Sequence, residues 1–104
     1  MAIAEISIVP LGTGTCSVSD YVAVAVKVLQ QEKDIKYELT AMGTIIEGEM
    51  DSLLAVARKM HEAVLNKGAA RVITTIKIDE RRDKMQTMKG KIDVVRERLE
   101  KDWT

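Results

Sequence analysis

The sequence predicts an α+β domain in which one four-stranded antiparallel sheet carries two helices on one face and a third helix follows at the end. Three observations predict it: four runs that alternate apolar and polar residues, two longer runs between them with helical signals, and a charged C-terminal run with a helical apolar stripe. Ala2 to Pro10 alternates, with Ala4, Ile6 and Ile8 on one face and Ile3, Glu5, Ser7 and Val9 on the other, until Pro10 and Gly12 end the strand. Ser17 to Lys33 is ambiguous, because Val22, Val24, Val26 and Val28 recur at strand spacing. A run of about sixteen residues exceeds a usual strand, Ala23 and Ala25 favour helix, and Ser17 with Asp20 forms a capping box, so a helix buried on more than one side is expected.

Ile35, Tyr37, Leu39 and Ala41 alternate with Lys36, Glu38, Thr40 and Met42 in a second strand that stops at Gly43. Thr44 to Glu49 is the third, and the short Met42-Gly43 link between them signals a hairpin. Gly48 inside that strand points to a bulge or to a close approach by a ligand. Asp51 then caps a helix whose Leu53, Ala57, Met60 and Val64 share one face, whose Arg58, Lys59, Glu62 and Lys67 share the other, and which Gly68 stops. Arg71 to Asp79 is the fourth strand. Met85, Met88, Ile92, Val95 and Leu99 then repeat every three or four residues along a charged helix, which Gly90 weakens by roughly 1 kcal/mol relative to Ala. The order βαββαβ plus a helix is the ferredoxin-like arrangement. Its second sheet face is also apolar in part, at Ile3, Val9, Ile45 and Ile73, so self-association is expected to cover it.

Length and composition bound the function. A chain of 104 residues holds one domain, spanning 1–104, with 85–104 as the terminal helix and a contact between subunits. Sixteen basic against sixteen acidic residues leave no net field for nucleic acid or anionic lipid, although residues 80–104 carry eight basic and six acidic residues. Three aromatic residues are too few for a base-stacking surface. One cysteine and one histidine exclude an internal disulfide and the usual zinc sites, which suits a metal-free, cofactor-free cytoplasmic protein. Glu5 interrupts any signal peptide, and no apolar run reaches the ~20 residues that span a bilayer.

Few residues offer chemistry. The turn LGTGTCS at 11–17 aims a helix N-terminus at an anion or polar ligand, or is a flexible turn whose glycines relieve strain. It lacks the third glycine of a dinucleotide fingerprint and the lysine of a P-loop. Cys16 is either a thiol activated at that helix start or a small packed residue, and His61 is either a hydrogen-bonded structural residue or a lone base. Glu47, on the strand face that carries Ile45, either reaches solvent at the rim or meets a cation from a ligand or a neighbouring subunit. Lys77, Asp79, Arg81 and Arg82 form a mixed cluster at the end of the fourth strand, either a solvated edge or a charged site. An RNA-binding sheet would need aromatics, a metallochaperone CxxC, and an acylphosphatase an arginine in the first loop, and none is present.

Three segments, VPLGTGTCSVSDYV at 9–22, YELTAMGTIIEGE at 37–49 and TTIKIDERRD at 74–83, resemble the small archaeal, bacterial and yeast proteins called thiamine-binding-like, related to the YkoF-type thiamine-binding proteins. The resemblance spans nearly the whole chain. It implies a ferredoxin-like α+β sandwich, a homotetramer built as a dimer of dimers with facing sheets, no catalytic activity, and binding of thiamine or its hydroxymethylpyrimidine part. Its ligand region corresponds to Gly12, Thr15, Ser17 and Ser19 in the first loop and to Met42, Gly43, Thr44 and Glu47 on the hairpin. The expected function is therefore non-enzymatic small-molecule binding in a homo-oligomer. The competing expectation is a regulatory or assembly module holding an anionic metabolite at the first helix start. An enzyme using Cys16 or His61 is the remaining alternative.

Overall fold

The computed structural model describes residues 1–102 and contains β1 (Ala2–Leu11), α1 (Ser19–Gln30), β2 (Lys36–Leu39), β3 (Thr44–Gly48), α2 (Met50–Asn66), β4 (Arg71–Glu80) and α3 (Met88–Asp102). The strands make one antiparallel sheet in the order β2-β3-β1-β4, which is the ferredoxin-like topology with a terminal helix added. Register sorts the side chains. Ala4 lies opposite Ile46 and Ile78, and Ile3 lies opposite Glu47 and Asp79. Because side chains alternate along a strand, each of these rows belongs to one face.

The row through Ala4 faces α1 and α2. Ala2, Ala4, Ile6 and Ile46 form the sheet side of the core, and Leu53, Val56, Ala57, Met60 and Val64 of α2 close it together with Ala25 and Leu29 of α1. The α2 residues recur at three- and four-residue steps, so the predicted stripe is the buried one. Gly68 ends that helix region at φ 125°, a conformation L side chains rarely adopt.

Several expectations change. α1 begins at Ser19 and ends at Gln30; Val18 occupies its N-cap without a side-chain bond, so Ser17 and Asp20 form no capping box. The loop's own groups explain this, since the Ser17 amide donates to Thr15 Oγ1 at 3.2 Å and its hydroxyl lies 3.4 Å from that of Ser19. Only Ala25 and Leu29 of α1 are fully buried, and its valines are half-buried on several sides. α2 has Glu49, not Asp51, at its N-cap. Gly48 answers a close approach by the chain itself: a Cβ there would stand 3.0 Å from Ile35 Cδ1 and 3.2 Å from the Asp34 carbonyl oxygen.

The terminal helix departs furthest from expectation. It starts at Met88, so Met85 precedes it and is exposed. Thr87 is its capping residue, with Oγ1 accepting from the Gly90 amide at 2.9 Å and its carbonyl accepting from the Lys91 amide at 3.1 Å. The helix touches the open sheet face by its first turn, and Ile92, Val95 and Leu99 remain exposed. At that end Ile3 and Glu47 are buried, whereas Val9 and Ile73 at the other end are exposed.

Candidate functional site

The site region is built by two turns at one end of the sheet. In the first, Gly12 and Gly14 hold φ of 73° and 79°, which only glycine adopts without strain, and Thr13 Oγ1 donates to the Thr15 carbonyl at 3.1 Å. In the second, Thr40 organises the hairpin: its hydroxyl donates to the Gly43 carbonyl at 2.7 Å and accepts from the Gly43 amide at 3.1 Å. Gly43 has no room for a side chain, because a Cβ would lie 3.0 Å from the Ile6 carbonyl oxygen. Thr40 is a residue sequence reasoning did not single out. Its signal was a threonine three residues before a glycine at a strand end, a common side-chain-to-backbone turn.

Between α1, β1 and the hairpin lies a cleft of about 310 Å³. Val22 and Val26 of α1, with Val18 at its N-cap, form one wall, Ile8 and Leu39 another, and Met42, Gly43 and Thr44 the hairpin side. Every side chain lining it is uncharged. Its volume sits at the lower end of the ~300–1,000 Å³ usual for small-molecule sites. A shallower depression continues from it along α1, sharing Val18, Val22, Val26, Leu39 and Thr40 and adding Ser17, Ser19, Ala23, Lys27 and Gln30. The fold thus brings five of the expected site residues, Ser17, Ser19, Met42, Gly43 and Thr44, to one continuous recess. Gly12 and Thr15 lie outside its walls; Thr15 works within the loop, as the acceptor for Ser17.

Glu47 is placed elsewhere. Thr44 and Glu47 are an odd number of residues apart on β3, so their side chains leave opposite faces of the sheet. Glu47 is only 2% exposed, and its Oε1 accepts the Met88 amide hydrogen at 2.7 Å. The carboxylate thus meets the positive end of α3, a partner no local reading supplies because 41 residues separate the two.

Other candidates also find their places. His61 Nδ1 lies 2.6 Å from Thr74 Oγ1, a bond from α2 to β4 that matches the structural reading. Cys16 is an exposed free thiol in the first loop, not a packed residue. A loop held by its own hydroxyls leaves it without a cavity to fill. Near the end of β4, Lys91 pairs with Asp79 and Arg81 with Asp83. The hydrogen bond from Arg81 holds the Asp83 carboxyl down at about 2, and the one from Lys91 lowers Asp79. All these carboxylates are exposed, as expected for a solvated edge. A second cavity, of about 580 Å³, lies between this edge and the start of α3, on the far side of the sheet from the cleft. Among the described residues no group of His, Cys, Asp and Glu could hold a metal ion, and no helix is long and apolar enough to cross a membrane.

Fold and cleft together define a ferredoxin-like domain with a recessed, uncharged cleft between its first helix and its hairpin. The chain belongs to the thiamine-binding protein family, whose pattern matches residues 4–96. It is 52% identical over 103 residues to the UPF0045 protein YqgV of Bacillus subtilis, covering 96% of this chain and 99% of that one. It is 43% identical over 100 residues to a UPF0045 protein of Methanothermobacter thermautotrophicus, covering 95% and 100%. Among solved structures, a protein of Methanocaldococcus jannaschii superposes with a TM-score of 0.83 at 44% identity, over 90% of this chain and 94% of that one. A Thermotoga maritima protein whose name assigns it to thiamine biosynthesis or salvage shares the fold, with a TM-score of 0.76 at 18% identity over 90% and 97%. None of these names specifies a reaction.

Proposed function

We infer that the protein binds thiamine or its hydroxymethylpyrimidine part without transforming it, using the recess between α1 and the hairpin. The observation that carries this reading is the uncharged cleft itself, in a chain of the thiamine-binding family. Its size and apolar walls suit a planar aminopyrimidine, whose donors and acceptors need a hydroxyl such as that of Thr44, since the Thr40 hydroxyl and the Gly43 backbone groups already bond each other within the turn. The cationic thiazolium would then rest at the Ser17 and Ser19 end of the shallower depression, in contact with water and about 12 Å along α1 from Lys27, which also lines it. Glu47 serves this reading indirectly, by holding α3 on the other face.

The anionic alternative is opposed by two features: Thr15 already takes the Ser17 amide, and Asp20 places a carboxylate in the first turn of α1. The single domain acts as a cytoplasmic homotetramer in this reading. Support comes from the free exposed thiol and from the apolar groups left uncovered on the sheet and on α3. Calorimetry tests the ligand. Thiamine and hydroxymethylpyrimidine should both bind, inorganic phosphate should not, and Thr44→Val should weaken binding roughly tenfold by removing one hydroxyl. Val22→Trp should fill the cleft and abolish binding. Absence of binding at millimolar thiamine and hydroxymethylpyrimidine would overturn the assignment.

A further inference from the structure

The inference deepens the ligand reading above and rests on it. One stripe of α1 forms the floor of the shallower depression: Ser19, Val22, Ala23, Val26, Lys27 and Gln30 recur at the spacing of a single helix face. Among the described residues that line the whole recess, Lys27 is the only one with a charge. It is exposed and has no ion pair among the described residues. A recess matched to a cation alone would offer a carboxylate. This one offers an ammonium and no acid.

That pattern fits a ligand that carries an anion as well as a cationic ring. Free thiamine presents only the ring charge, whereas its phosphate ester presents both. Eight residues separate Ser19 from Lys27, about 12 Å along the axis. Helical side chains lean towards the N-terminus, so the ammonium covers the turn before its own Cα, about 5.4 Å back. About 6–7 Å then remain between the ammonium and the place of the thiazolium at Ser17 and Ser19. The two-carbon arm of thiamine and its ester oxygen span about 5 Å at ~1.5 Å per bond, which brings the phosphoryl oxygens to Lys27 while the pyrimidine stays in the cleft. Asp20, seven residues before Lys27 and so on the same flank of α1, stands at the ring's end of this axis, where its charge favours the cation. One lysine in contact with water is too weak to hold phosphate by itself. Its effect is to discriminate between two forms of a ligand that the cleft already holds.

We propose that the recess takes the phosphate monoester of its ligand in preference to the free alcohol, with Lys27 as the residue that contacts the phosphate. Calorimetry with thiamine and thiamine monophosphate tests it on the wild type, Lys27→Gln, Lys27→Glu and Lys27→Arg at low ionic strength. The wild type should bind the ester roughly three- to tenfold more tightly than thiamine. Lys27→Gln should bring that ratio to about one, Lys27→Glu should invert it, and Lys27→Arg should retain it. Salt at about 1 M, where the Debye length is about 3 Å, should erase the wild-type preference. Equal affinity of the wild type for the two compounds, or a preference that survives in Lys27→Gln, would overturn the proposal and leave the ligand reading standing. Binding of the ester that persists in Val22→Trp would place the phosphate contact outside the recess and overturn it as well. Absence of binding by thiamine, its ester and hydroxymethylpyrimidine alike would overturn the ligand reading and this inference together.

Discussion

Glu47→Gln probes the contact on which the position of α3 depends. The carboxylate is 2% exposed, and Oε1 accepts the Met88 amide at 2.7 Å. A hydrogen bond to a charged acceptor contributes about 1.5–3 kcal/mol and a neutral one about 0.5–1.5, so loss of the charge removes about 1 kcal/mol. Loss of the favourable interaction with the helix dipole removes about 0.3–1 kcal/mol more. Glutamine also buries an amide NH2 at a site built to accept. Opposing these, a neutral group no longer resists removal from water. The balance expected is a loss of about 1–2 kcal/mol in the docking of α3, roughly a 5- to 30-fold rise in its open population. Hydrogen exchange reads this directly: amides of α3 should exchange faster by that factor, while those of β1 and β3 stay protected. Thr87→Ala, which removes the cap on the Gly90 amide, is the comparison, at about 1 kcal/mol. Unchanged protection of α3 in Glu47→Gln would refute the assignment of Glu47 as its clamp. Thiamine affinity should be unaltered, because the cleft lies on the opposite face; a tenfold loss of affinity would return Glu47 to the ligand site.

Gly43→Ala should destabilise the domain by about 1–3 kcal/mol in urea unfolding, since a Cβ 3.0 Å from the Ile6 carbonyl oxygen meets backbone that cannot swing away. Asp83 should titrate at about 2 by NMR, and Arg81→Gln should raise it towards 3.8. Its folded value is depressed, so the contribution of the pair is present above about 3.8 and fades as pH falls towards about 2. Asp79 is lowered by Lys91 and then by Gln86, so the Lys91 tether of α3 should likewise persist at neutral pH and be released in acid.

The hairpin and α2 were legible because their determinants are local. Alternation from Ile35 and the Met42-Gly43 link locate β2 and β3, although β2 ends at Leu39 rather than at Gly43 because Thr40 closes residues 40–43 into the turn, and Leu53, Ala57, Met60 and Val64 specify the buried face of α2. The valine repeat of α1 resolved into a helix because length and alanine content outweigh period, yet its start was misplaced by hydroxyls that satisfy one another before reaching the helix. Of the expected site, Met42, Gly43, Thr44, Ser17 and Ser19 converge because the hairpin and the first loop end at the same edge of the recess.

By itself the sequence determined the number and order of the elements, the exclusion of an internal disulfide, and the family to which the chain belongs. The elements rest on periodicity within a window of neighbours and the disulfide on a cysteine count, whereas the family rests on the resemblance of three segments, 9–22, 37–49 and 74–83. Only the tertiary structure decided where Glu47 lies and what it touches. Strand alternation sends it away from the cleft, and a helix start 41 residues later supplies the donor that its burial requires. It also decided that the apolar seam of α3 leaves its own domain uncovered. Where a helix lies depends on how its first turn is anchored, at Glu47 and Asp79 here, and that anchor is assembled from residues the periodic pattern never compares.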